Sequence, residues 1–243
     1  MSIIQVRHLS KHFGSFKAVD DISFEVRKGE IFGFLGANGA GKTTAMRMLT
    51  GLLQPTSGEA TVAGFDVGTQ PEQVKSRIGY MSQKFSLYED LTLAENVDFF
   101  GGVYGLSDEQ IRCKKEEMAE DLHDPGAMSH LVGSLPLGWK QKLSFVTAML
   151  HHPDIVFLDE PTGGVDPITR RNFWKRLYKE ADQGVTLFVT THYMDEAEYC
   201  DRIAMMVDGR IAAIGTPAEL KHEMNATSMD DVFVKLARGG VRS

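Results

Sequence analysis

The sequence predicts an α/β fold in which a parallel sheet carries helices on its faces, an antiparallel β layer lies at the N-terminal side, and a helical subdomain is inserted. Three observations carry this. Residues 155–158 (Ile-Val-Phe-Leu) and 185–189 (Val-Thr-Leu-Phe-Val) are short, nearly unbroken apolar runs, as expected of strands buried on both faces. Helical patterns fall between such runs, the alternation that builds parallel sheets. Residues 3–26 instead alternate apolar and polar positions, the mark of strands with one wet face.

Taken in order, Ile4 and Val6, then Ile22, Phe24 and Val26, read as short antiparallel strands; Lys28-Gly29 is a turn, and 31–35 is an apolar strand. A helix follows from about Lys42 and buries Met46, Met48 and Leu49. Residues 78–82 form a further strand-like run. Residues 87–150 contain no convincing buried strand and several helical stretches, with breaks expected at Gly101-Gly102, Asp124-Pro125-Gly126 and Gly133-Ser134. They read as a helical subdomain inserted between two core segments, 1–86 and 151–220. Asp166 before Pro167 is an N-cap followed by proline at the first helical position, and that helix should bury Phe173, Trp174, Leu177, Tyr178 and Ala181. Asp208-Gly209 between two apolar runs signals a hairpin, and 221–243 reads as a short tail.

At 243 residues the chain can bury a substantial core as a single domain. Its formal net charge of -7, with acidic residues scattered along the chain, argues against a nucleic-acid partner, which would call for a basic face. Cys113 and Cys200 are far apart and lack metal-ligand spacing, so neither a disulfide framework nor a zinc site is expected. No apolar run approaches the roughly 20 residues that a spanning helix needs, and the N-terminus lacks a signal peptide's apolar stretch. If this chain serves a membrane, another polypeptide must do the spanning.

The most informative segment is Gly36-Ala37-Asn38-Gly39-Ala40-Gly41-Lys42-Thr43-Thr44, which fits the phosphate-loop pattern G-x-x-x-x-G-K-[ST] between a strand and a helix. Its glycines let successive backbone N–H groups converge on phosphate oxygens, and the helix that follows adds the positive end of its dipole. Lys42 contributes a point charge to the β- and γ-phosphates, and Thr43 a hydroxyl for Mg²⁺. ATP and Mg²⁺ are therefore the expected ligands, on a RecA-like P-loop NTPase core.

Asp159 and Glu160 end the buried strand 155–158, at the rim where open α/β sheets bind ligands. Adjacent residues on an extended chain point different ways, so Asp159 is assigned to Mg²⁺ and Glu160 to the general base that activates water. His192 follows the buried strand 185–191 and reaches the same rim, where it can contact the γ-phosphate. Gln83 ends the run 78–82, where its amide can touch both Mg²⁺ and the attacking water.

With these elements in this order, the chain resembles the nucleotide-binding cassette of ABC transporters over essentially its whole length. The resemblance implies that Phe13 stacks on adenine, that Gln83 is the Q-loop glutamine, that Gly163-Gly164-Val165-Asp166 is the D-loop, and that His192 is the switch histidine. Residues 84–90 fall where such cassettes receive a coupling helix from a transmembrane permease. Residues 191–198 and 228–234 look most like ABC-2-type exporter cassettes, which implies a peripheral subunit on the cytoplasmic face of the membrane. Such cassettes work in pairs, the signature loop of one closing over ATP held by the other.

The signature departs from the family's usual Leu-Ser-Gly-Gly-Gln. This chain has Leu135-Pro136-Leu137-Gly138-Trp139, a variant resembled by a subset of ABC-2 cassettes. Pro136 lacks the hydroxyl and the N–H that would face the partner's γ-phosphate, while Gly138 keeps one close backbone approach. Proline in the first turn of a helix over 139–151 is structurally comfortable. These readings point to an ATP-hydrolysing motor subunit of an exporter. The competing reading is a soluble ABC ATPase acting on ribosomes or DNA, whose members resemble tandem cassettes or carry inserted coiled coils, and this sequence shows neither.

Overall fold

The structure, a computed structural model, describes residues 1–83, 86–122, 124 and 126–239. The chain opens with two long antiparallel strands, β1 (Ser2–Phe13) and β2 (Phe16–Arg27), where the sequence suggested shorter ones. Their length is sustained by register shifts within the β1–β2 pairing, which let the ribbon bend while Ile4, Leu9, Val19, Ile22 and Val26 stay buried. Then come β3 (Ile31–Gly36), α1 (Lys42–Leu49), β4 (Ser57–Val62), β5 (Phe65–Asp66), α2 (Pro71–Arg77) and β6 (Ile78–Met81). The helical stretch holds α3 (Leu93–Val103), α4 (Asp108–Leu122) and α5 (Leu137–Ala148). The chain continues with β7 (Ile155–Asp159), α6 (Pro167–Asp182), β8 (Thr186–Thr191), β9 (Arg202–Val207), β10 (Arg210–Gly215), α7 (Pro217–Glu223) and α8 (Met229–Gly239).

Two sheets result. One is antiparallel, in the order β2-β1-β4-β5; the other runs β10-β9-β3-β8-β7-β6, its five central and edge pairs parallel except for the β9–β10 hairpin. The residues of β3, β7 and β8 are buried throughout, which explains their unbroken apolar reading. Between the sheets, Phe24 stacks on Phe32 with ring centroids 5.6 Å apart, and Phe34, Phe157 and Phe188 complete an aromatic core that also takes in Ala45, Met46, Met48 and Leu49 of α1. The opposite face of the parallel sheet is covered by α5, α6 and α8 through Phe145, Phe173, Trp174, Leu177, Met229 and Val232. A third apolar cluster, with Leu93, Val97, Ile111, Met118, Val132 and Leu143, lies within the helical stretch.

Three local expectations are corrected. Gly101-Gly102 does not break a helix, because α3 runs through both, capped at its start by a Thr92–Glu95 capping box. A Cβ on Gly101 would stand 2.6 Å from the Ile111 side chain, so this glycine lets α3 and α4 approach closely. The helix after the signature spans Leu137–Ala148 and not 139–151; Pro136 is its N-cap, its carbonyl accepting from Trp139 and Lys140, and Pro153 lies soon after its end, beyond His152 in the left-handed region. Tyr178 is not buried with its helix neighbours: it is exposed, with its hydroxyl donating to the Tyr199 carbonyl at 3.0 Å. The other expected breaks coincide with the end of α4 and a 3₁₀ turn at Val132–Ser134, Pro125 lying outside the described residues. The Asp208-Gly209 hairpin and the Asp166 cap form as read, with Asp166 accepting from the Ile168 and Thr169 amides.

Candidate active site

The C-terminal ends of β3, β7 and β8 meet at one rim, and the catalytic candidates stand on it. Residues 36–41 turn from β3 into α1, whose N-cap is Gly41. Gly41 has φ of 100°, and a Cβ there would lie 2.3 Å from the Ala18 carbonyl oxygen, so backbone freedom and close approach both demand glycine. Ala37, Asn38 and Gly39 are exposed on the loop's outer face, Ala40 is buried beneath it, and Thr43 and Thr44 open α1.

Lys42 is only 5 % exposed. Its ammonium donates to the Gly36 and Ala37 carbonyls at 2.8 and 3.1 Å and lies 3.7 Å from Glu160 Oε1. Burial pulls this lysine below its ordinary range, against the attraction of Glu160 and Asp159. The loop thus curls around a cation whose loss of hydration outweighs its attraction to Glu160 and Asp159, a setting that suits an incoming phosphate.

Asp159 Oδ1 accepts from Thr190 at 2.6 Å and from Thr43 at 3.4 Å. Its carboxyl is raised above the ordinary range, first by burial, with the like charge of Glu160 adding and the two threonines and Lys42 opposing. The Thr43 hydroxyl and the Asp159 carboxylate are hard oxygen donors side by side, which fits Mg²⁺ held by one carboxylate together with substrate phosphates. Among the described residues no group of three or more His, Cys, Asp and Glu could cage an ion by itself.

Glu160 adopts a left-handed backbone, φ 50°, uncommon for a non-glycine and pinned by its N–H to the Thr190 carbonyl and hydroxyl. That turn swings its carboxylate away from Asp159 and toward two further candidates. Gln83 Nε2 donates to Glu160 Oε2 at 2.9 Å, and His192 Nδ1 lies 3.1 Å from the same oxygen, without the alignment of a hydrogen bond. Lys42, Thr43, Gln83, Asp159, Glu160 and His192 therefore form one constellation, with a base, a cation, hydroxyl and carboxylate oxygens and a histidine converging on the space above the phosphate loop.

Other predicted residues sit around it. Phe13, 51 % exposed at the β1–β2 tip with Lys11 5.3 Å over its ring, offers an open aromatic face, and the same hairpin reaches the phosphate loop through Ala18. Gly163-Gly164-Val165-Asp166 links Glu160 to α6; the Gly163 N–H donates back to the Glu160 carbonyl, and Gly164 lies in the left-handed region. Leu135 and Trp139 are half-buried against the helical cluster, whereas Pro136 and Leu137 are exposed, and Gly138 sits close to Thr169 of α6. Of the proposed docking segment 84–90, Lys84 and Phe85 lie outside the described residues.

Sequence reasoning missed two residues. Thr190 holds both Asp159 and the Glu160 amide, but Thr186 and Thr191 stand in the same run, so the local sequence does not single it out. Gln141 donates to the Gly163 carbonyl at 3.1 Å, tying the signature helix to the D-loop segment; nothing in the local sequence marks that contact.

The sequence model of the ABC transporter family matches residues 19–163. This chain belongs to the ABC transporter family. It is 47 % identical over 240 residues to a protein of Escherichia coli named as a probable multidrug ABC transporter ATP-binding protein, an alignment covering 97 % of this chain and 42 % of the relative, so the chain spans less than half of that protein's length. It is 33 % identical over 240 residues to the linearmycin resistance ATP-binding protein of Bacillus subtilis, covering 98 % of this chain and 76 % of the relative. A solved structure described as the ATP-binding subunit of an ABC transporter superposes with a TM-score of 0.87 at 27 % identity, covering 97 % of this chain and 99 % of the other. The ABC family places ATP binding and ATP hydrolysis in this chain.

Proposed function

We propose that this cassette is the Mg²⁺-dependent ATP-hydrolysing motor of an ABC-2-type exporter, working in pairs at the cytoplasmic face of a membrane on a separate transmembrane subunit. The observation that carries the exporter reading is the likeness, over nearly the whole chain, to ATP-binding proteins named for multidrug transport and linearmycin resistance. Among the described residues no helix is long and apolar enough to cross a membrane.

In the mechanism, Lys42 and the amides of 36–44 bind the phosphates. Thr43, Asp159 and Gln83 would hold Mg²⁺, which would supply positive charge to the phosphates. Glu160 takes the proton of the attacking water, and Gln83 and His192 orient that carboxylate from its Oε2 side. His192, held beside Glu160 at the same rim, also contacts the γ-phosphate. Phe13 stacks on the adenine. Pro136, Leu137 and Gly138 meet the partner cassette's nucleotide, consistent with the exposure of Pro136 and Leu137 in the single cassette.

Isolation of the tagged chain from detergent-solubilised membranes tests the reading. Co-purification with a multi-span membrane protein is expected; recovery with ribosomes or DNA would overturn it.

A further inference from the structure

Glu196 is a fully buried carboxylate that the mechanism above does not use. It lies in the 3₁₀ turn Met194–Tyr199, directly after the His192 loop. The Thr162 hydroxyl donates to its Oε1, and Arg170 Nε of α6 lies 3.5 Å from that same oxygen. Arg170 Nη1 also donates to Asp195 at 3.4 Å. The guanidinium carbon stands 4.2 Å from the ring centroid of Tyr193, and the Tyr193 ring in turn lies 4.1 Å from the His192 ring. A planar cation, a phenol ring and, tilted 35° to that ring, the imidazole thus form a continuous chain of contacts, anchored at its far end on a buried carboxylate.

The connectivity gives this chain of contacts a purpose. Thr162 is two residues from Glu160 and immediately precedes Gly163, while Arg170 belongs to the first turns of the helix capped by Asp166. The cluster therefore joins three segments that come together only by folding: the Glu160 turn, the start of α6 and the His192 loop. A carboxylate without water around it needs a counter-charge and hydrogen bonds, so Glu196 holds Thr162 and Arg170 to itself. Arg170 can then satisfy Glu196 with its charge while its flat face orients Tyr193, a double task that a lysine cannot perform.

We propose that Arg170, with Thr162 and Glu196, is a positioning residue that fixes the His192 ring relative to Glu160. The inference rests on the reading that His192 and Glu160 act together in hydrolysis.

The test measures ATP turnover, KM and nucleotide affinity for Arg170→Met and Arg170→Lys, each alone and combined with His192→Ala. Misplacing a reacting group by about 1 Å can cost roughly 100-fold in rate. Arg170→Met is therefore expected to lower kcat by about 10- to 100-fold with KM for ATP little changed, and to add nothing in the His192→Ala background, because both changes remove one function. Arg170→Lys keeps the counter-charge to Glu196, so it carries the test even if Arg170→Met fails to fold, and it is expected to lose about tenfold in kcat. Wild-type turnover in Arg170→Lys, losses that multiply with those of His192→Ala, or nucleotide affinity falling in step with kcat would each overturn the inference. Unchanged turnover in His192→Ala alone would instead remove the reading beneath it, and so is distinguishable.

Discussion

In the proposed pair of cassettes the phosphate-loop rim and the signature turn form the two halves of one hydrolytic arrangement, and they are built very differently. At the rim the polar side chains are already engaged within the chain: Lys42 on two carbonyls, Asp159 on Thr190, Glu160 between Gln83, His192 and Lys42. At the signature turn Pro136 has no N–H to give and Leu137 projects an apolar side chain, 47 % exposed, beside Gly164. On that proposal, nucleotide binding is preorganised in a single cassette, whereas closure over the nucleotide depends on a face with little polar chemistry of its own. Variants at the two halves should therefore separate chemistry from closure.

The largest effect is expected at the rim. Glu160→Gln removes the proton acceptor but keeps the shape and one hydrogen-bonding oxygen, and general-base catalysis is worth about 100- to 10,000-fold. Phosphate release should fall by that order while ATP affinity stays near wild type and ATP-bound pairs accumulate in size-exclusion chromatography. Full retained turnover would reassign the base and dissolve the distinction between the halves.

At the signature the prediction runs in the opposite direction. Pro136→Ser with Leu137→Gly restores a hydroxyl and an N–H toward the partner's nucleotide, and a hydrogen bond to a charged group contributes about 1.5–3 kcal/mol, or one to two orders of magnitude in association. ATP-dependent dimerisation, followed by analytical ultracentrifugation in the Glu160→Gln background, should strengthen by that factor. Unchanged or weaker association would show that the variant turn closes through contacts of its own.

The pH dependence of ATP affinity sharpens the same contrast, because it belongs to the rim alone. Lys42 is lowered from its ordinary value of 10.5 by burial, and bound phosphate stabilises its charged form. Affinity is therefore full below the lowered value in the free cassette and falls as pH rises through it, by at most tenfold per pH unit, beginning below the ordinary lysine range. Calorimetric titration from neutral pH up through the ordinary lysine value of 10.5 should show this fall, and a flat profile would contradict it.

Much of the rim could be read from sequence because its chemistry is local. Residues 36–44 carry their pattern in nine consecutive positions, and Asp159-Glu160 and His192 each terminate a buried apolar run. Thr190, Gln141, Arg170 and Glu196 could not be read in the same way, since each acquires its role from a partner 22 to 34 residues distant that only the folded sheet brings near. Residues 229–239 illustrate a third case. Met229 and Val232 have helical spacing, but that they belong to the core of the parallel sheet follows from where α8 docks, which no spacing specifies. Gly101 failed for a related reason: glycine in a helical pattern signals a break unless another helix occupies the space its side chain would fill.

That last point yields the smallest effect and a paired test. Gly101→Ala would place a Cβ 2.6 Å from Ile111 Cγ1 and 2.9 Å from its Cδ1, so overpacking, typically about 1–3 kcal/mol, outweighs the helix propensity gained. Gly102→Ala meets nothing within 4 Å and gains that propensity unopposed, up to about 1 kcal/mol, less near the end of α3. Thermal unfolding should thus move down for the first and slightly up for the second. Both substitutions lie in the helical stretch that supports the signature turn, so nucleotide affinity of the single cassette should stay constant in each. If Gly101→Ala also weakened ATP binding, the phosphate rim would depend on how α3 and α4 pack, and the two halves would be one mechanical unit instead of two.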